Sequence, residues 1–226
     1  MDGLMTSAHA RSAGPDFFTF ETLRVDRPET AGVLADILVG EVRDHARHTA
    51  GFVTGRVHLG VDGTTVVSCG QWGSAADHSN STKAGPGRGA LGSLANRPEV
   101  TAATTFGGTR AAGVDGPAAA EPPGFVAVAT RHVAGHESAS AMVDLLVQSG
   151  EWKRDFPGFI SATPYISLDG KTFVNYPQWV NEAAFHRYMA APRIAEGQAA
   201  VASLEVAPAE FVLCRVVMTI DSEVGG

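Results

Sequence analysis

Asn175, Trp179, His186 and Arg215 are the residues of this chain whose types and spacing could do chemistry together. In the run Phe173–Tyr188, FVNYPQWVNEAAFHRY, an amide stands four residues before an indole, and strand positions two and four apart share a face. An amide N–H aimed at a ligand oxygen stabilises negative charge as an oxyanion hole does, and an indole plane stacks on a flat ring. Phe173 and Ile160 offer apolar wall beside them. His186, one turn into the following helix, and Arg215, in the middle of a late strand, are candidates to draw off a proton or hold an anion; Arg131 and His132 are weaker ones. Each also has a plain structural reading. A tryptophan at a strand end is more often core, His186 suits a helix surface, and Arg215 suits an ion pair between halves.

The stretch carrying the pair exists twice. Phe52/Phe159, Asp62/Asp169, Gly63/Gly170, Gln71/Gln178 and Trp72/Trp179 are each 107 residues apart, so one unit has been duplicated and the chain reads as two halves. Both copies carry Asp-Gly between alternating runs, a two-residue hairpin signal with positive φ at both central positions. In the second copy this turn pairs Leu168 with Lys171, which puts Phe173, Asn175 and Trp179 on the face of Ile160, Ala162 and Ile166. In the first copy Ser68 stands where the second has Asn175, and Trp72 shares its face with Gly55, Ser68 and Gly70. Those small residues leave a cavity unless something fills it, and Trp72 and Ser68 are candidate ligand contacts.

Each half repeats βαββαβ. In the first, Phe17–Val25 is a strand, Pro28 opens a helix with Val33, Leu34, Ile37, Leu38 and Val42 on one face, the hairpin follows, and a closing strand lies near Phe106–Val114. In the second, strands at Phe125–Val133 and Phe211–Ile220 enclose a helix over Ser138–Trp152, the hairpin, a helix capped by Asn181 and running through Tyr188, and a helix over Arg193–Leu204. Pro98 and Pro192 mark corresponding helix starts at an offset of 94, so the first half carries 13 extra residues. They form a Gly-rich insertion over 83–92. Its Gly87, Gly89 and Gly92 spell GxGxxG, but inside a helical region rather than between a strand and a helix, where a dinucleotide site needs it. A hinged lid is the better reading, from which Lys83 and Arg88 could meet an anionic ligand. The expected organisation is a disordered tail over 1–16, a unit over 17–114, a linker over 115–124 and a unit over 125–221. The fold class is α+β: two tandem ferredoxin-like units packed sheet to sheet as a pseudo-dimeric barrel.

A net charge of −7 with no basic stripe argues against nucleic acid or an anionic membrane surface as partner. The N-terminal stretch lacks the apolar run of a signal peptide, and no stretch is long and apolar enough to span a bilayer, so the expected location is the cytoplasm. Cys69 and Cys214 read as core thiols. His45 and His48 have no third ligand nearby and suit a helix C-terminus rather than a metal.

The hairpin, the Asn175–Trp179 spacing and the helix immediately after it resemble the antibiotic biosynthesis monooxygenase family, of dimeric α+β barrel fold. The resemblance covers the element order of both halves and implies a monooxygenase that oxidises a polycyclic phenol or anthrone polyketide with O2 to a quinone or ring-opened product. It implies that no cofactor is needed, Asn175 binding the substrate oxygen and Trp179 orienting the rings. The alternative it carries is a ring-opening oxygenase of angucycline type that uses reduced flavin (FADH2) from a separate flavin reductase. A homodimer is a further implication. A haem-degrading branch of the fold has an axial histidine where this chain has Met189 and Thr82, which disfavours haem. A non-catalytic carrier of an aromatic metabolite is the remaining reading.

Overall fold

The computed structural model describes residues 16–83, 94–148 and 150–223. Residues 1–15 of the expected tail and nearly all of the Gly-rich insertion, with Arg88 and the GxGxxG glycines, lie outside the described residues.

The two faces of β1 (Phe17–Val25) go to different places. Phe18 and Phe20 point into an interior shared with the second half. Phe17, Leu23 and Val25 point outward, under helices. The first of these is α1 (Pro28–Asp44), with proline in its first turn, Glu29 near its N-terminus and Arg43 in its last turn, as the helix dipole favours. Its buried stripe, Ala31, Leu34, Ala35, Leu38 and Val42, recurs at three and four residues. Most of that stripe lands on Leu23, Val25, Val57 and Val66.

β2 (Phe52–Gly60) and β3 (Thr65–Trp72) form the first hairpin, α2 (Ala75–Lys83) follows, and β4 (Val100–Arg110) and β5 (Val114–Asp115) end the first half. The second half repeats the plan with β6 (Phe125–Val133), α3 (His136–Gln148), β7 (Phe159–Ser167), β8 (Thr172–Trp179), α4 (Glu182–Met189), α5 (Pro192–Ala202) and β9 (Glu205–Asp221).

Three expectations need correction. Pro98 opens no helix: residues 98 and 99 turn, and β4 begins at Val100. The β-branched run Val100, Thr101, Thr104 and Thr105 favours the strand, which therefore starts six residues before the expected Phe106. Nor do the hairpin turns hold positive φ at both central positions. Only the glycines do, Gly63 at 73° and Gly170 at 72°. The carbonyl of Gly60 accepts from the N–H of Gly63 at 3.0 Å, and Ser167 accepts from Gly170 at 2.9 Å. The preceding aspartates keep ordinary backbone and use their side chains instead, Asp62 Oδ1 accepting from the N–H groups of Thr64 and Thr65 at 2.9 and 3.0 Å. Lastly, the stretch read as linker begins inside β5, whose Val114 is buried and pairs with Ala162.

The strands run β4-β1-β3-β2-β9-β6-β8-β7, and β7 pairs back to β4, with β5 added on β7. Each half contributes four antiparallel strands in ferredoxin-like order. The halves join edge to edge, β2 along β9 and, over Gly108–Arg110 only, β4 against β7, which closes the barrel while the first part of β4 pairs with β1 alone. The closed barrel has one interior core drawn from both halves, including Phe20, Val67 and Phe106 of the first and Val126, Tyr165, Val174 and Tyr176 of the second. Helices cover the outside. Among the described residues no helix is long and apolar enough to cross a membrane.

Candidate active site

β8 decides which chemistry faces where. Val174, Tyr176 and Gln178 point into the barrel, while Phe173, Asn175, Pro177 and Trp179 point outward beneath the helices. Its register with β7 sets Phe173 against Ile166, Asn175 against Pro164 and Pro177 against Ala162. The shared face of Phe173, Asn175 and Trp179 is thus formed. Ile160 departs from the expectation: a bulge between Phe159 and Ser161 shifts the pairing, and Phe159 takes its place opposite Trp179. The same bulge recurs between Phe52 and Thr54 in the first half.

Trp179 is buried in an aromatic cluster that the sequence reading only partly anticipated. Asn181 caps α4 by accepting from the N–H of Ala184 at 2.9 Å, and this start places Phe185 and Tyr188 on the indole. Their ring centroids lie 4.9 and 5.3 Å from Trp179. Tyr188 also stacks on Phe159 at 5.6 Å and on Trp152 at 5.2 Å, and burial pushes its phenol above the ordinary tyrosine range.

Phe173 anchors a second outward cluster with Val133, Met142 and Val143 under α3. Asn175 lies between the two clusters. Two polar atoms on this face are buried without a hydrogen-bond partner, Asn175 Oδ1 and Trp179 Nε1. An unmet buried acceptor or donor costs about 1–3 kcal/mol, so such groups call for a ligand or water. The pair asks for one that carries both a donor and an acceptor.

The other proposed site residues are not brought here. His186 and Arg215 are 66% and 63% exposed and meet each other only through Glu182, at 3.8 and 2.7 Å. Their bond to Glu182, Arg215 first, holds its carboxyl below the usual range. Arg131 is tied to Glu205 and lies over the Phe211 ring.

In the first half, Trp72 and Ser68 do share a face with Gly55 and Gly70, but side chains already lie over the two glycines. A Cβ on Gly55 would meet Val42 Cγ1 at 2.8 Å and Phe52 at 3.1 Å, and one on Gly70 would meet Trp72 Nε1 at 3.0 Å. The glycines let the Phe52 and Trp72 rings lie against the strands. Farther along this face Ser68 and Thr105 flank Glu21 in register. Burial, with no cation beside it, pushes the Glu21 carboxyl up to about 7. A lone acid in FFTFETLRV was its only mark in the sequence.

The inner side of β8 belongs to a different environment. A cavity of about 240 Å³ lies between the halves, lined by Arg56, Tyr165, Tyr176 and Gln178 among others, and reaches neither Asn175 nor either tryptophan. Arg56 Nη1 donates to Gln178 Oε1 at 3.1 Å. His58 Nδ1 lies 3.1 Å from the Val67 carbonyl, so that nitrogen carries the proton and Nε2 accepts from the Tyr176 hydroxyl at 2.7 Å. Burial lowers His58 to about 4 and keeps it neutral. Among the described residues no group of three or more His, Cys, Asp or Glu side chains could hold a metal.

Comparison with known proteins adds sequence and fold likeness. Tetracenomycin-F1 monooxygenase of Streptomyces glaucescens is 42% identical over 66 residues, which span 29% of this chain and 59% of that relative. A monooxygenase from the gene ActVA-Orf6 of Streptomyces coelicolor, solved with nanaomycin D, is 40% identical over 41% of this chain and 87% of its own; its TM-score of 0.40 adds nothing on fold. The solved structure of an anthrone oxidase-like protein superposes with a TM-score of 0.77 over 95% of this chain and 96% of that one, at 17% identity, and so speaks for the fold alone. No family model matches the chain. In the stretch it shares with tetracenomycin-F1 monooxygenase, and in its closed barrel of two ferredoxin-like units, the chain is similar to proteins of the antibiotic biosynthesis monooxygenase type.

Proposed function

We propose that the protein is a monooxygenase of aromatic polyketide tailoring, which oxidises a polycyclic phenol or anthrone with O2 at the outward face of the second unit. The observation that carries this reading is the pair of unmet buried atoms, Asn175 Oδ1 and Trp179 Nε1, on one face of β8. A phenol hydroxyl donates to the first, and a ring carbonyl or phenolate accepts from the second. The family likeness supplies the reaction class.

The chemistry needs no group beyond substrate and oxygen. The substrate gives up a proton to solvent and becomes an electron-rich anion whose charge is met by the Trp179 N–H, while Asn175 Oδ1 accepts from a remaining hydroxyl, in a water-poor setting; the peroxide formed in the later steps takes a proton back from solvent. One electron passes to O2, and the resulting radical and superoxide combine at carbon. The hydroperoxide then loses water, so a methylene plus O2 ends as a carbonyl plus H2O. The rings of Phe159, Phe185 and Tyr188 keep water from the anion. His186 and Arg215, held outside by Glu182, take no part.

The test is oxygen uptake by the purified chain with an anthrone and with a polycyclic phenol, each with and without reduced flavin and a flavin reductase. Uptake and quinone formation without reductant are expected. Uptake only with reduced flavin would replace this reading with the ring-opening one, and tight binding without uptake would leave a carrier.

A further inference from the structure

We propose that the cavity inside the barrel is a second ligand site, which binds a small aromatic carboxylate with its charged end on Arg56 and its ring against Phe18, Phe20 and Tyr165. The site lies on the opposite face of β8 from Asn175 and does not depend on the oxygenase reading.

Arg56 is a guanidinium facing the interior with no carboxylate paired to it among the described residues. It is fixed: Nη1 donates to Gln178 Oε1 at 3.1 Å, and Gln178 Nε2 in turn donates to Ser161 Oγ at 3.2 Å. What is left over is its Nε, buried without a partner. A carboxylate accepts side-on from Nε and the other terminal nitrogen of such a fork in two parallel charge-assisted bonds, which would meet the unmet donor and supply the missing counter-charge. The Tyr176 hydroxyl also hydrogen-bonds with the guanidinium, but burial pushes its phenol well above the ordinary range and keeps it neutral, and His58 is neutral as well, so neither supplies a counter-charge.

The rest of the cavity selects the other end of the ligand. Phe18 and Phe20 lie 4.7 and 5.1 Å from the Tyr165 ring, an aromatic wall suited to a flat ring. At the rim stand Arg110 and Asp115, with Gln71 held by Asp16 at 2.8 Å. The Arg110 charge at the mouth is offset by the carboxylates of Asp115 and Asp16, whereas Arg56 has no carboxylate beside it, so the acid group goes inward to Arg56. At about 240 Å³ the space falls below the roughly 300–1,000 Å³ of drug-sized pockets. It suits one ring and a carboxylate rather than a polycyclic substrate.

The experiment is calorimetric titration of the full chain with benzoate and with its neutral isostere benzamide. Benzoate is expected to bind at least about tenfold more tightly than benzamide, Arg56→Gln to abolish that preference, and Asn175→Ala to leave it intact. Arg56→Lys, which keeps the charge but loses the fork, is expected to weaken benzoate about tenfold and serves if Arg56→Gln does not fold. No heat up to about 10 mM benzoate, equal binding of benzamide, or unchanged affinity in both Arg56 variants would overturn the site. Turnover of a polycyclic phenol is scored separately, so either conclusion can fail alone.

Discussion

His58 Nε2 and the Tyr176 hydroxyl meet at 2.7 Å across the middle of the barrel, joining residues 118 apart in the chain and belonging to different copies of the duplicated unit. Both side chains are buried, so neither can turn to water if the other is lost. Tyr176→Phe should therefore destabilise the whole chain by about 1–3 kcal/mol, the cost of stranding a buried ring nitrogen. Pairing it with His58→Leu in a double-mutant cycle by urea unfolding should return a coupling of about 1 kcal/mol. Additive losses would mean that the contact contributes nothing to joining the halves.

Glu21 and His58 give opposite pH slopes. Glu21 has a native value of about 7 against 4.5 for an unburied carboxyl, so the native state holds its proton longer than the unfolded chain does. Stability is highest below pH 4.5 on this account and falls as pH rises to about 7, by roughly 3 kcal/mol in all. His58 has a native value of about 4 against 6.5, so its contribution is whole above pH 6.5 and is lost as pH falls towards 4. Glu21→Gln should remove the first slope and raise the melting temperature at pH 8, leaving a variant that loses stability only on acidification. A melting curve against pH that is unchanged by Glu21→Gln would refute the buried acid.

Trp179→Phe separates a working indole from a packing one. Phenylalanine keeps a ring among Phe159, Phe185 and Tyr188 but deletes an N–H that has no partner in the free protein. The variant should be as stable as the parent, or more so where lost ring volume is tolerated, while kcat falls about tenfold. Asn175→Ala should lower kcat/KM by about tenfold, as loss of the acceptor for the substrate hydroxyl does. Normal turnover by both variants would remove this face from the chemistry.

Glu182 sets the expectation for the two discarded candidates. Since His186 and Arg215 are exposed and pair with it at the surface, His186→Gln and Arg215→Gln should leave kcat/KM within about twofold and stability nearly unchanged. A large fall in turnover from either would show that the outer face reaches farther than the Asn175–Trp179 stretch.

The sequence by itself determined the doubling, the βαββαβ order and the company Asn175 keeps, because a fixed offset and a two-residue period are properties of the chain alone. It even placed Phe173 and Asn175 on one face. It missed the start of β4, where a proline suggested a helix that β-branched neighbours disfavour, and it missed the bulge that swaps Ile160 for Phe159, since a single extra residue leaves no compositional trace. Only the tertiary structure decided what each face looks at. Closure of the barrel through β2–β9 and β4–β7 turned one side of every strand inward, bringing Arg56 to Gln178 and His58 to Tyr176 from opposite copies, while the other side went under helices. Such pairings are non-local: they depend on how two sheets meet at their edges, and no spacing within either copy encodes that meeting.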